Sequence, residues 1–327
     1  MSLKLSIRLM KFNINKWNGN LYCLLLVVLM LACQNDDAPI VDDEQSAPQD
    51  EVLADDTDST QVDQENDEDT DHSIVPTIDL SHWKVTLPIA ENGKTIEVEP
   101  PEILDYTNNE MLKEFMYEDT EDGSLVFYTY PDASTANSSY SRTELREQMV
   151  AGSNSTNWTF SEGGRMKGTL SVPFISKDSN NEFHRTIVMQ IHGRLTNEQR
   201  DRIGENDNNA PPILKIYWQK GNIRVLTKEL KDSSASGDSV LSADAWDNDE
   251  GHTFSQRVDS DKFTLEIIAS DRRLEVILNE EESVVYDDIH IQKWGAFENY
   301  FKAGNYLQTT DVGSSAIVKY YNLEVTH

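Results

Sequence analysis

Cysteine is nearly absent from this chain: two of 327 residues, Cys23 and Cys33. Cys23 sits inside an apolar run, so beyond Cys33 there is no thiol, which excludes disulfide staples, thiolate metal sites and a cysteine nucleophile from the rest of the protein. Positive charge is scarce, with 28 Lys and Arg against 58 Asp and Glu and a formal net charge of −30. Residues 34–83 contain no Lys or Arg at all. Long hydrophobic runs are missing too: residues 21–32 are almost wholly apolar, but a bilayer span needs ~20 such residues. HExxH, G-x-S-x-G and a Glu-x-Asp-x-x-Glu strand do not occur, which removes the usual signals of a zinc peptidase, a serine hydrolase and a sandwich glycosidase with paired carboxylates.

What is present begins with a basic leader. Lys4, Arg8, Lys11 and Lys16 precede the short apolar run with no acid among them, the pattern of a signal peptide. Ala32-Cys33 followed by Gln34-Asn35-Asp36-Asp37 is similar to a lipoprotein cleavage box, in which Cys33 is acylated and becomes the new N-terminus. Leu31 stands where a smaller residue is usual, so an ordinary secretory signal is the alternative. The next forty residues crowd in sixteen acids, too hydrophilic to bury the surface that offsets ordering entropy. They read as a disordered acidic tether, and no EF-hand spacing supports a calcium loop. The expected organisation is a signal peptide over 1–32, a tether over 33–74 and one folded domain over 75–327. The expected location is the outer membrane of a bacterium, at the cell surface on a lipid at Cys33, or secreted if Cys33 is not acylated.

Removing the tether's sixteen acids and the leader's four basic residues from the totals leaves 42 acidic and 24 basic residues in the body, a net of −18. Such a surface repels nucleic acid and anionic headgroups, so no nucleic-acid partner is expected and membrane contact only through the lipid anchor. It also repels an anionic polysaccharide, unless a few cations gather in one cleft.

Beyond residue 75 there is no long 3.6-residue apolar stripe. Short runs rich in β-branched and aromatic residues alternate with Gly, Asn, Asp and Ser. Strands are expected at 83–87, 125–130, 141–149, 168–172, 186–192, 213–218, 223–226, 263–269, 274–278, 283–286, 300–306 and 317–325. Short helices are expected only at 101–115 and 197–203, a hairpin bend at Ser270-Asp271-Arg272 and a loop over 206–212. This pattern predicts an all-β fold, an antiparallel two-sheet sandwich of jelly-roll type.

Three of these strands carry reactive polar side chains on one face, because residues two apart share a face. The sets are Arg142/Glu144/Arg146, Gln190/His192 and Tyr300/Lys302/Tyr306. Each alone has a plain structural alternative: a solvent-facing strand with cross-strand ion pairs, a structural histidine, an aromatic girdle. In the second strand Ile187, Met189 and Ile191 are expected to face the core, and Val188, Gln190 and His192 the other side. Gly304 marks a close approach of backbone or ligand. Alternation by itself leaves Tyr300 and Tyr306 equivalent.

The blocks Arg142-Thr143-Glu144-Leu145-Arg146, Gln190-Ile191-His192 and Tyr300-Phe301-Lys302-Ala303-Gly304-Asn305-Tyr306 resemble, in this order, the three signature blocks of the alginate lyases of polysaccharide lyase family 7. Trp83-Lys84-Val85-Thr86-Leu87-Pro88 resembles that family's first strand, and the similarity spans residues 77–327. The resemblance implies a concanavalin-like jelly roll whose concave sheet forms an open groove, and cleavage of alginate by β-elimination with no cofactor or metal. It implies that Arg142 and Gln190, joined by Asn137, neutralise the uronate carboxylate. His192 would be the base or part of the neutralising set, and Tyr306 the acid or both acid and base. Arg146, Lys302 and Tyr300 would bind neighbouring sugars or hold the catalytic groups, with Glu144 orienting the arginines. Ile191 resembles the family variant associated with guluronate-containing substrates.

These roles suit the reaction. The C5 proton of a uronate is barely acidic until the adjacent carboxylate charge is neutralised, and an arginine fork does this in a bidentate way. An imidazole can take the proton near neutrality and a phenol can protonate the leaving oxygen. The expected partner is alginate, an anionic polysaccharide, cut endolytically by a monomer. Two other readings stay open: a lyase acting on another polyuronate such as glucuronan, and a non-catalytic alginate-binding sandwich on a lipid tether.

Overall fold

The structure, a computed structural model, describes residues 76–135 and 138–327. The segments expected to form a signal peptide and a tether, with Cys33, and also Asn137 lie outside the described residues. In chain order the strands are β1 (Trp83–Glu91), β2 (Lys94–Val98), β3 (Met116–Asp119), β4 (Ser124–Thr129), β5 (Arg142–Glu147), β6 (Trp158–Thr159), β7 (Gly164–Ile175), β8 (Arg185–Arg194) and β9 (Asn209–Gln219). They continue as β10 (Asn222–Leu230), β11 (Trp246–Asn248), β12 (His252–Arg257), β13 (Phe263–Ser270), β14 (Arg273–Leu278), β15 (Glu282–Tyr286), β16 (Glu298–Leu307) and β17 (Ala316–Thr326). Two short helices, α1 (Asn197–Ile203) and α2 (Ile289–Trp294), complete the regular structure apart from single 3₁₀ turns.

The strands form the expected antiparallel sandwich. One sheet, here the groove sheet, runs β11-β10-β9-β8-β16-β5-β1-β2, with β12 also on β10 and β6 on β16; the back sheet runs β15-β14-β13-β7-β17-β4-β3. Alternation supplies the core between them. Trp83, Val85 and Leu87 of β1, Phe301 and Ala303 of β16, Leu265 and Ile267 of β13, and Val318 and Tyr320 of β17 all point inward. Each large apolar side chain buried this way contributes ~1.5–3 kcal/mol.

Several local expectations change. Segment 101–115 forms two 3₁₀ turns, Glu102–Asp105 and Leu112–Glu114, because the Asn109 side chain accepts from the N–H groups of Met111 and Leu112 and starts a second turn. The loop expected over 206–212 is partly strand: β9 starts at Asn209 and runs through Pro211 and Pro212, where the pairing with β8 shifts register. Such an irregular stretch tolerates the missing proline N–H. Helix α2 was not expected, although its N-cap, Asp288, accepts from the N–H groups of His290 and Ile291.

The most consequential change is in β8. Its pairing shifts register between Ile187 and Met189, so Val188 and Met189 both enter the core and Ile187 turns to the groove face beside Tyr217 and Tyr306. The strict alternation expected there fails because one extra residue is accommodated in a bulge. On β16 a matching shift falls between Ala303 and Tyr306. Gly304 lies in it with φ 142°, and a Cβ at this position would stand 2.6 Å from the Thr143 carbonyl oxygen and 2.9 Å from Glu144 Cα. The glycine therefore serves the close approach of two backbones.

Candidate active site

β16 comes last of the three signature strands in sequence, yet it lies between the other two in the groove sheet, in the order β8-β16-β5. Cross-strand register puts Tyr300 beside His192, and Lys302 between Gln190 and Arg146. Gly304 pairs with Glu144 and Tyr306 with Arg142. The three sets inferred from alternation thus meet on one face.

Glu144 is the centre. Its Oε2 accepts from Arg142 Nη1 at 3.2 Å and from Lys302 Nζ at 2.9 Å, and its Oε1 accepts from Gln190 Nε2 at 2.6 Å. A carboxylate can only accept, so it turns the NH₂ end of Gln190 toward itself; one amide hydrogen is used there and a second remains. Gln190 Oε1 is buried without a hydrogen-bond partner among the described residues. Arg142 and Lys302 share this one carboxylate, and Arg146 stands across from Lys302 on β5, so cations outnumber the carboxylate at the centre of an acidic protein.

Aromatic rings set the spacing of these charges. The Arg142 guanidinium lies 3.7 Å from the Tyr306 ring centroid and that of Arg146 4.1 Å from Tyr300, both cation–π contacts. The His192 ring stacks on the other side of Tyr300, with centroids 5.2 Å apart and planes 14° apart. Its Nδ1 sits 3.0 Å from the Gly193 carbonyl oxygen. A carbonyl only accepts, so Nδ1 carries the hydrogen and Nε2 is the basic nitrogen of the neutral ring. Arg146 also donates to the carbonyls of Glu147 and Asn154 and to Asn157 Oδ1, which anchors it to the protein.

The two tyrosines now differ. Tyr300 is clamped between Arg146 and His192 and is 1% exposed. Tyr306, at 7%, presents its hydroxyl 2.5 Å from Ser138 Oγ. Gln190 and His192 are fully buried, with Arg142 and Lys302 nearly so, and Tyr306 is the member of the set nearest solvent.

Two residues of the site were not picked out from sequence. Ser138 belongs to the segment just before β5, and its only sequence signal is a Ser-Ser-Tyr-Ser cluster. Lys215 of β9 stands beside Gln190, extending a cross-strand row that reads Lys84, Arg146, Lys302, Gln190, Lys215 over β1, β5, β16, β8 and β9. With ~4.8 Å between strands, this row is ~19 Å long. Lys84, at one end, pairs with Glu97 at 2.8 Å. The place of Lys215 beside Gln190 comes from the pairing of β9 with β8, which joins residues 25 apart in sequence and leaves no local signal.

A cavity of about 520 Å³ elsewhere, lined by Thr77, His82, Glu147 and His327 among others, holds no residue of the three blocks. Among the described residues no group of three His, Cys, Asp or Glu side chains is placed to hold a metal ion.

The family model described as alginate lyase matches residues 78–327. The crystal structure of alginate lyase A1-II′, a member of polysaccharide lyase family 7, is 31% identical to this chain, covers 76% of it and 96% of its own length, and has a TM-score of 0.58. A complex of that family 7 enzyme with a substrate written GGMG is 28% identical over 76% of this chain and 93% of its own, with TM-score 0.58. An alginate lyase from Pseudomonas aeruginosa, 20% identical over 76% of this chain and 99% of its own, shares the fold with TM-score 0.56. No curated protein matches the chain. The family match covers the whole sandwich and all three strands that meet at Glu144, and the chain belongs to the alginate lyases of polysaccharide lyase family 7.

Proposed function

We propose that this alginate lyase cuts within the polymer, prefers guluronate-containing stretches, and uses Arg142 and Gln190 to hold the carboxylate, His192 as base and Tyr306 as acid. The observation that carries this reading is the row of four cations and Gln190 across five strands, flanked by His192 on one side and Tyr306 on the other. A uronate chain laid along the row offers its carboxylates to Arg146, Lys302 and Lys215 in turn, with Arg142 beside Tyr306 on one flank, and its charge is met by fixed cations as it develops. The C5–H bond breaks and its proton passes to His192 Nε2. The electron pair forms the C4–C5 double bond as the C4–O bond breaks, and the Tyr306 proton goes to the leaving oxygen. An unsaturated uronate remains at the new end, and the proton returns from the imidazolium to the phenolate through solvent.

In guluronate the C5 hydrogen and the C4 oxygen leave from opposite faces of the ring, which suits a base and an acid on opposite flanks. The substrate GGMG and the product GGG bound to the related A1-II′ are rich in G, the symbol for guluronate, which supports the same preference. Purified protein incubated with alginate enriched in either block is expected to raise the unsaturated-uronate absorbance faster on guluronate, with long oligomers appearing first. Faster cleavage of mannuronate blocks overturns the preference, and release of only the smallest products from the start overturns internal cleavage. His192→Ala and Tyr306→Phe are each expected to lose at least ~100-fold in kcat while still binding alginate.

We further propose that the enzyme works as a monomer at the bacterial cell surface, exported by the segment 1–32 and held through acylated Cys33 on the acidic stretch that follows. Ala32-Cys33 and Asp36-Asp37 support this reading. Fatty-acid label that persists in a Cys33→Ala variant contradicts it.

A further inference from the structure

The hydroxyl of Ser138 makes three contacts that together can serve either protonation state of Tyr306. The Tyr140 N–H donates to Ser138 Oγ at 3.1 Å, Ser138 Oγ–H donates to the Tyr140 carbonyl at 3.2 Å, and Tyr306 Oη lies 2.5 Å away. The Ser138 N–H is itself tied to the Thr135 carbonyl at 2.9 Å. A serine hydroxyl has one hydrogen and two lone pairs. With Tyr140 N–H on one lone pair and the hydrogen directed to the Tyr140 carbonyl, the remaining lone pair accepts a hydrogen bond from the Tyr306 phenol. Once the phenol has given its proton away, rotation about the Cβ–Oγ bond brings the serine hydrogen onto the phenolate oxygen, and the Tyr140 carbonyl is released. The edge of the Tyr140 ring meets the Tyr306 ring at 6.4 Å between centroids, so the same short segment fixes both the ring and its hydroxyl.

We propose that Ser138 is a positioning residue for Tyr306: it sets the phenol's rotamer before the reaction and donates to the phenolate after the proton has passed to the leaving glycosidic oxygen. This rests on Tyr306 acting as the acid. The bond changes are confined to the tyrosine and the substrate: the Tyr306 O–H bond breaks, an O–H bond forms on the departing C4 oxygen, and Ser138 only redirects its hydrogen. A hydrogen bond to a charged oxygen is about twice as strong as a neutral one, so the contact favours the product side of this proton transfer. Among the described residues, the charged and titratable groups around Tyr306 include the Arg142 guanidinium over its ring, Tyr140 at its edge, and Tyr217 in the same cluster with the Arg185 guanidinium above it. Replacing Ser138 changes the charge of none of them, although it also releases the Tyr140 N–H and carbonyl that its hydroxyl bonded.

The test compares the full-length protein with Ser138→Ala and Ser138→Thr, following kcat, KM and the pH dependence of kcat on alginate by unsaturated-uronate absorbance. Loss of the donor is expected to lower kcat about tenfold with KM within about twofold, and to move the alkaline limb of kcat up by about one pH unit, because an undonated phenolate is harder to form. Ser138→Thr, which keeps the hydroxyl, is expected to restore both. A folded Ser138→Ala protein with wild-type kcat and an unmoved alkaline limb overturns the proposal, as does a folded Ser138→Thr protein as impaired as the alanine variant. A Tyr306→Phe protein that keeps full kcat instead overturns the acid role on which the proposal rests, so the two failures are distinguishable.

Discussion

The Tyr320 hydroxyl, on the back sheet, donates to the Val188 carbonyl of the groove sheet at 2.5 Å. The same oxygen accepts the Gly304 N–H at 3.3 Å. Val188 lies in the β8 irregularity that turns Ile187 to the groove, and Gly304 in the β16 irregularity that precedes Tyr306. Where the two strands stop bonding each other, one phenol from the opposite sheet satisfies both. Burial holds that phenol far above its ordinary pKa, so it remains a neutral donor.

Tyr320→Phe is expected to destabilise the protein by about 3 kcal/mol, since two buried backbone groups lose their partner at ~1–3 kcal/mol each. Urea unfolding measures this, and kcat is expected to fall more than KM rises because Tyr306 follows the bulge. Stability within about 0.5 kcal/mol of wild type would show that the bulges close without the hydroxyl.

Gly304→Ala tests the other half of that junction. With φ 142° and the Thr143 carbonyl oxygen 2.6 Å from the added carbon, the backbone must move away from β5. A loss of more than ~1 kcal/mol is expected by thermal or urea unfolding, with activity falling alongside it. An alanine variant of unchanged stability contradicts the close approach described.

Glu144→Gln removes the carboxylate that bonds Arg142, Lys302 and Gln190 together. Breaking a buried ion pair from one side costs ~3–5 kcal/mol, because the partner charge stays behind. Activity is expected to fall about 100-fold in kcat, as the donors facing the substrate carboxylate lose their alignment. Steady-state kinetics on a folded variant decides: kcat within twofold of wild type removes Glu144 from that role.

His327 and Glu147 give stability a pH dependence. His327 Nε2 lies 2.6 Å from Glu147 Oε1, while Glu147 Oε2 accepts from Trp158 Nε1 at 3.0 Å and from the Phe301 N–H at 2.9 Å. Burial pulls the imidazole pKa down, but the hydrogen bond and charge of Glu147 outweigh it and the net shift is upward. The folded state then binds this proton more tightly than the unfolded one, so the stabilisation is complete below the unfolded value of ~6.5 and is lost as pH rises through the folded value. Denaturant titrations of wild type and His327→Gln from pH 6 to 9 are expected to show a stability gap that is widest at pH 6. A gap that widens with pH contradicts the pairing.

Each of the twelve strands expected from sequence overlaps an observed one, because period-2 patterning registers directly which residues are buried. Strands β2, β3, β6, β11 and β12 escaped notice; they are short, β6 only two residues long, and charged or polar side chains interrupt the patterns of the others. The site was legible where alternation holds, in Arg142/Glu144/Arg146 and Gln190/His192. It was not legible at Ile187, where a bulge breaks the parity, nor at Lys215, whose place beside Gln190 depends on which strand β9 pairs with. Ser138 could not be found by any strand pattern, since its contact with Tyr306 joins segments 168 residues apart.

The sequence by itself determined an acidic all-β protein with a thiol-free body, and three strand faces bearing arginine, glutamine, histidine, lysine and tyrosine. It did so because side-chain alternation is a local property of the extended chain. Only the tertiary structure decided that the last strand, β16, lies between β5 and β8, that Glu144 ties the three blocks together, and that Tyr306 rather than Tyr300 meets Ser138. Strand order and bulge position arise from long-range pairing and from a core phenol on the opposite sheet, and no local pattern encodes them.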